Sequence, residues 1–143
     1  MELRDYQKEI VRLGVNVLKE HKFVYLAMEV RTGKTLTSLS ISKTLAVSNV
    51  LFITKKKAIS SIQDDYNLLN PDFSINIINY ESLHKIDPAP YDVIICDEAH
   101  GMGAYPKPSK RAKDVKSLIQ INNNPYVILL SGTPTPESYS QMY

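Results

Sequence analysis

A single cysteine, Cys96, occurs in the 143 residues, so no disulfide can close within the chain and a reducing interior suits it. It lies in the apolar run Val93-Ile94-Ile95-Cys96, where a thiol reads as a small buried core group. Charge of one sign is missing too. Seventeen lysines and arginines face fifteen aspartates and glutamates, a net charge of +2, so there is no polyelectrolyte signature. Any contact with nucleic acid must therefore come from local placement of charge. No apolar run approaches bilayer-spanning length, which predicts no membrane partner. The start, Met1-Glu2-Leu3-Arg4-Asp5, has no apolar core of the kind a signal peptide needs, and a cytosolic location is the default expectation. Internal repeats and low-complexity tracts are also missing. The length fits one domain with a real core.

What is present is an alternation of two periodicities. Ile10, Leu13, Val17 and Leu18 recur at helical spacing and predict an amphipathic helix over residues 5 to 20. Runs rich in apolar residues at 23–28, 50–54, 75–79, 91–96 and 126–130 read as strands. Between them, helices are predicted from about Lys34, over residues 56 to 69, in a short stretch near Glu81 to Lys85, and near Arg111 to Ile121. The segment from Gly101 to Ser109, with two glycines and two prolines, is the clearest loop. Strands that are apolar throughout, each followed by a helix, predict a parallel sheet covered on both faces. In such sheets ligands sit at the carboxyl ends of the strands.

Two motifs fall at such ends. Gly33-Lys34-Thr35 follows the first strand and opens a helix, an arrangement that offers backbone N–H groups and an ammonium to phosphates and a hydroxyl to Mg²⁺. Asp97-Glu98-Ala99-His100 emerges abruptly from the apolar run ending at Cys96. One carboxylate there can hold Mg²⁺ and its neighbour can orient a water. Read alone, the first is also an ordinary helix start after a glycine turn, and the second a pair of solvated acids. In this order and context they predict a site for a nucleoside triphosphate. The full G-x-x-x-x-G-K-T pattern is not met, since Met28 occupies its first glycine position. Three lysines, Lys55, Lys56 and Lys57, sit at a strand-to-helix junction, where phosphates are favoured by charge and helix dipole together. Lys107, Lys110, Arg111 and Lys113 form a second basic patch, equally readable as the soluble face of a helix.

With these residues in hand, a family resemblance is apparent. Leu3-Arg4-Asp5-Tyr6-Gln7, Ala27 to Thr35, Asp97 to His100 and Leu130-Ser131-Gly132-Thr133-Pro134 together resemble the amino-terminal motor domain of superfamily 2 helicases, and most of all the Swi/Snf-type DNA translocases. Ile78 to Leu83 resembles that family's motif Ib region, and Pro108 to Leu118 the stretch after its DEAH box. The likeness runs from residue 3 to about residue 136. It implies an α/β, RecA-like P-loop NTPase fold, a three-layer sandwich with a mostly parallel central sheet, using ATP and Mg²⁺.

Carried over by position, the resemblance implies that Gln7 reads the adenine edge with support from Tyr6. The loop residues Arg31, Thr32 and Gly33 would flank the phosphates, Lys34 would contact them, and Thr35 and Asp97 would hold Mg²⁺. Glu98 would be the base for the hydrolytic water, while His100, Ser131 and Thr133 would link nucleotide state to nucleic acid. Lys55, Lys56 and Lys57, in the motif Ia position, and Tyr80 would face the DNA backbone. Two departures stand out: Arg31 replaces a usually small residue and either reaches the phosphates or crowds the loop, and Gly101 to Gly103 replaces charged residues after DEAH. Motifs IV to VI and an arginine finger, which these motors carry on a second RecA-like lobe, are not found in the sequence. The expectation is therefore a first lobe, 1–143, of a DNA-dependent ATPase, helicase or translocase acting on double-stranded DNA, inefficient in hydrolysis alone, in the cytoplasm or nucleoid or, for a virus, the host cell interior. The alternative is a nucleotide-gated module that binds a partner or nucleic acid without hydrolysis. A small P-loop kinase is disfavoured, because DEAH followed by Ser-Gly-Thr-Pro has no role in one.

Overall fold

The computed structural model describes residues 5–27, 33–86, 90–97, 110–122 and 125–131. Helix α1 spans Asp5–His21 and leads into strand β1, Phe23–Ala27; α2, Lys34–Thr44, is followed by β2, Asn49–Thr54. A 3-10 turn, Lys56–Ala58, precedes α3, Ile59–Leu69, and β3, Ser74–Asn79. A second 3-10 segment, Tyr80–Lys85, β4 at Val93–Cys96, α4 at Lys110–Ile121 and β5 at Tyr126–Ser131 complete the order. The described strands form one sheet in the order β1-β5-β4-β2-β3, and every pairing is parallel. The sheet predicted from the continuous apolar runs is thus present.

Pleating sorts the apolar residues of each strand between two cores. Val50 and Phe52 of β2, with Val93 and Ile95 of β4, face α1, α2 and α3, where Val11, Val15, Leu18, Leu39, Ile41 and Ile62 meet them. Leu51, Ile53, Ile94 and Cys96 face the other way, onto Tyr80, Leu83, Val115 and Leu118. Both faces of the central strands are dry, which is why the runs read as continuous rather than alternating. Each fully buried side chain of this size contributes roughly 1.5–3 kcal/mol relative to exposure.

Helix α2 starts at Lys34 as the sequence predicts and has seven of its eleven residues buried, four of them serine or threonine. Three of these hydroxyls donate to the local backbone, Thr37 Oγ1 to Gly33 O at 3.0 Å, Ser38 Oγ to Thr35 O at 2.8 Å and Ser42 Oγ to Ser38 O at 3.2 Å, while Ser40 Oγ has no partner among the described residues. That lets a polar helix lie between α1 and α3 on the sheet. Gly14 admits the close crossing of α1, since a Cβ there would stand 2.8 Å from Ile41 Cδ1. On α1 the buried stripe runs through Gln7, Val11, Val15 and Leu18, while Leu13 is only half-buried.

Three boundaries differ from the periodicity. The predicted helix over residues 56 to 69 opens with the 3-10 turn, closed by the Ala58 N–H donating to Lys55 O at 3.0 Å. The short helical stretch predicted near Glu81 to Lys85 is a 3-10 segment that starts one residue earlier, at Tyr80. Strand β4 starts at Val93, because Tyr91 N–H donates instead to Asn122 Oδ1 at 2.8 Å. No helix among the described residues is long and apolar enough to cross a membrane.

Candidate nucleotide-binding site

At the carboxyl rim of the sheet, β1 ends at Ala27 and the chain re-enters the described structure at Gly33, whose φ of 74° and ψ of 40° place it in the left-handed region. Glycine is required there on two counts. The conformation is strained for any other residue, and a Cβ would lie 2.2 Å from Gln7 Nε2. Gln7, 6% exposed, is therefore packed against the backbone turn that opens α2. Gly33 has no side chain to cap the helix, so the first-turn N–H groups of α2 face the rim, the arrangement that favours anions.

Lys34 extends from that turn across to β4, and its Nζ lies 2.8 Å from Asp97 Oδ1. The pair is nearly dry, with side-chain exposures of 8% and 5%. Asp97 is held on three sides. Its backbone N–H donates to Ile53 O at 2.8 Å, continuing the β2–β4 ladder one residue beyond the strand. Thr54 Oγ1, itself fully buried, donates to Asp97 Oδ2 at 2.9 Å. Tyr80 Oη donates to the Asp97 carbonyl at 2.6 Å from the opposite face of the sheet. The aspartate that the sequence places at a strand end is thus a fixed carboxylate with one oxygen turned to a lysine.

Beside this pair lies a pocket of about 240 Å³ lined by Gly33, Lys34, Thr35, Lys55, Ser61, Ile62, Asp65 and Asp97, among others. That is below the roughly 300–1,000 Å³ of a complete small-molecule site, so the described residues enclose one end of a ligand of nucleotide size. One wall is a single face of α3, through Ser61, Ile62 and Asp65. Burial, and secondarily the neighbouring Asp64, push the Asp65 carboxyl above the usual aspartate range. A larger hollow of about 520 Å³ opens at the opposite rim between Lys22, Asp92, Asn122 and Tyr126, away from both motifs.

The donor set fits Mg²⁺ with a polyphosphate. Asp97 Oδ1 already faces a cation, and Thr35 lines the same pocket. Mg²⁺ is commonly held by one or two protein oxygens with waters and substrate phosphates supplying the rest. Asp97 and Thr35 would hold it, and Lys34 would exchange its carboxylate partner for phosphate oxygens.

The structure brings Gln7, Gly33, Lys34, Thr35 and Asp97 to one rim, with Tyr6, 40% exposed, beside Gln7 in the first turn of α1. Ser131 is buried at the end of β5, in register with Ala27. Lys55, Lys56 and Lys57 are all exposed where β2 leaves the sheet, but only Lys55 lines the pocket. Tyr80 corrects the expectation of a DNA-facing side chain, since it is 6% exposed and its hydroxyl is engaged beneath Asp97. Arg31, Thr32, Glu98, His100 and Thr133 lie outside the described residues, as does the loop from Gly101 to Ser109. Sequence reasoning gave Thr54 only as the start of the motif Ia stretch Thr54 to Lys57, without its contact to Asp97, and passed over Ser61 and Asp65. For Thr54 there was a signal, a hydroxyl closing an apolar strand at the same rim as Asp97; for the two α3 residues there was none.

The profile of the family described as type III restriction enzyme, res subunit, matches residues 1–72 and 62–136. No curated protein matches by sequence. Similar solved structures include the Sulfolobus solfataricus SWI2/SNF2 ATPase core in complex with dsDNA, with a TM-score of 0.71 and 19% identity over 99% of this chain and 35% of that one. A nuclease-deletion mutant of the Type ISP restriction-modification enzyme LlaGI, in complex with a DNA substrate mimic, gives 0.68 and 21% over 94% and 18%. The Escherichia coli DEAH/RHA helicase HrpB gives 0.66 and 16% over 94% and 21%. At these identities the likeness is one of fold, the RecA-like α/β lobe, and the chain spans between 18% and 35% of those chains' length. Family profile and fold agree, and the chain belongs to the family of type III restriction enzyme res subunits.

Proposed function

We propose that this chain is the ATP-binding first lobe of a DNA-dependent superfamily 2 ATPase, a helicase or translocase of the Swi/Snf-like kind acting on double-stranded DNA. The observation that carries the reading is the convergence of Lys34 and Asp97, 63 positions apart by subtraction of their numbers, into one buried pair 2.8 Å long at the rim where α2 begins. Such a pair is costly to bury unless each partner is well satisfied, and here it stands where a polyphosphate would exchange with it. Mg²⁺, when bound, would neutralise charge on the phosphate oxygens.

The chain's own residues have separate tasks in this reading. The α2 N-terminus and Lys34 bind phosphate, Gln7 and Tyr6 hold the base, and Asp97 and Thr35 orient the metal shell. Glu98 accepts the proton of the attacking water. Ser131, Thr133 and His100 connect that chemistry to Lys55, Lys56 and Lys57 on the DNA. An arginine from a second RecA-like lobe would stabilise charge in the transition state, and such fingers are worth orders of magnitude in rate.

ATP hydrolysis by the 143 residues with and without double-stranded DNA, beside nucleotide binding, tests the proposal. Binding lost in Lys34→Ala with negligible DNA-stimulated turnover is expected. Vigorous turnover abolished by Glu98→Gln would instead mean that the chain supplies its own arginine, and no nucleotide binding would end the ATPase reading.

A further inference from the structure

We propose that Thr54 is a positioning residue for Asp97, aiming its carboxylate at the Mg²⁺-nucleotide site and tying that site to the strand that leads into Lys55, Lys56 and Lys57. The inference rests on the nucleotide-site reading above and adds a residue to it. Thr54 is the last residue of β2 and is 0% exposed, yet its side chain is polar. Its Oγ1 donates to Asp97 Oδ2 at 2.9 Å, while the other carboxylate oxygen faces Lys34 Nζ. The two oxygens are thereby distinguished. Oδ2 is turned back into the sheet, and Oδ1 is presented to the cation.

The contact is made by neighbouring strands rather than by a flexible loop. Ile53 and Cys96, the residues before Thr54 and Asp97, are partners in the β2–β4 register, and Asp97 N–H bonds to Ile53 O. A hydroxyl on a strand end therefore sets the χ angles of a carboxylate on the next strand, a rigid support of the kind that keeps a metal ligand in its productive orientation. Immediately after Thr54 the backbone stays extended at Lys55, φ −81° and ψ 152°, before the 3-10 turn carrying Lys56 and Lys57. Displacement of those lysines by a bound phosphate chain would pull on the Thr54 hydroxyl, one residue before Lys55. Loss of the hydroxyl should thus uncouple metal response from DNA while leaving the fold and the phosphate lysine in place.

The test uses a fluorescent ATP analogue titrated onto the 143-residue chain in EDTA and at graded Mg²⁺, with and without double-stranded DNA. Thr54→Ser keeps the donor and should follow the natural chain. Thr54→Val and Thr54→Ala remove it, and Ala does so without adding a methyl against Asp97 should Val fail to fold. Both should raise the Mg²⁺ concentration needed for tight binding on the order of tenfold, the scale of a hydrogen bond to a charged group, with binding in EDTA changed by less than about twofold. Equal losses with and without Mg²⁺, or no loss in either variant, would overturn the inference. Lys34→Ala separates the two levels. If it leaves nucleotide binding intact, the site reading fails and takes this inference with it; if it abolishes binding while Thr54→Ala matches the natural chain, the Thr54 inference alone is wrong.

Discussion

Two aspartates bracket β4, and their surroundings differ in what holds each carboxylate. Asp92, before the strand, is exposed and accepts the backbone N–H groups of Ser48 and Asn49 at 2.9 and 3.0 Å. Those donors belong to the fold itself and cannot leave without unravelling the start of β2. Asp97, after the strand, is 4% exposed and faces side chains, Lys34 and Thr54. A lysine on a four-carbon stem can turn to a ligand while Asp97 stays where the ladder holds it. The same residue type at the two ends of one strand thus closes a turn at one rim and pairs with a lysine side chain at the other.

The comparison breaks most visibly at Lys34. Lys34→Ala should reduce nucleotide affinity on the order of a hundredfold or more, since charge-assisted phosphate contacts are lost. It should also lower stability by roughly 3 kcal/mol, because a buried carboxylate is left without its cation. Adding Asp97→Asn should restore most of the stability and none of the binding, a divergence that denaturant melts and titration calorimetry would read together. A second, smaller effect is expected at the turn. Gly33→Ala should cost about 1–3 kcal/mol from the left-handed backbone and the contact with Gln7, and should weaken discrimination of adenine from other bases.

At the opposite rim, Asp92→Ala should destabilise by about 1 kcal/mol and leave nucleotide binding unchanged, the mirror image of the Lys34 result. The smallest effect is at Asp65. Its folded-state pKa is raised by burial and then by Asp64, so the native fold favours the protonated carboxyl, and its contribution to stability is lost as pH rises through that raised value. Asp65→Asn should therefore be neutral in acid and stabilising near pH 7, by about 0.5 kcal/mol or less given solvent screening at a half-buried site. Urea melts at both pH values would show the crossover.

The outline of this molecule was legible because its signals are local. Val93 to Cys96 reads as a doubly buried strand from four consecutive apolar residues, and Gly33-Lys34-Thr35 carries its chemistry within three positions. The sheet order and the Thr54 contact were not legible, because Thr54 and Asp97 are 43 residues apart and meet only once β2 and β4 become neighbours. Tyr80 misled for the same reason: the sequence shows a tyrosine after a strand, and only packing turns its hydroxyl under Asp97. The hidden α3 wall of Ser61 and Asp65 depends on how that helix lies against the sheet. Cys96 is a case where the local reading sufficed, since full burial pushes its thiol up to about 12, keeping it neutral and inert.

The most direct test of the exchangeable Lys34–Asp97 pair is thermal unfolding of the natural chain, Lys34→Ala and Asp92→Ala, each with and without ATP and Mg²⁺. At a hundredfold excess over Kd, binding should stabilise by about 2.7 kcal/mol, a rise of several degrees, in the natural chain and in Asp92→Ala but not in Lys34→Ala. A rise that persists in Lys34→Ala, or none in the natural chain, would contradict the assignment of this pair as the nucleotide site.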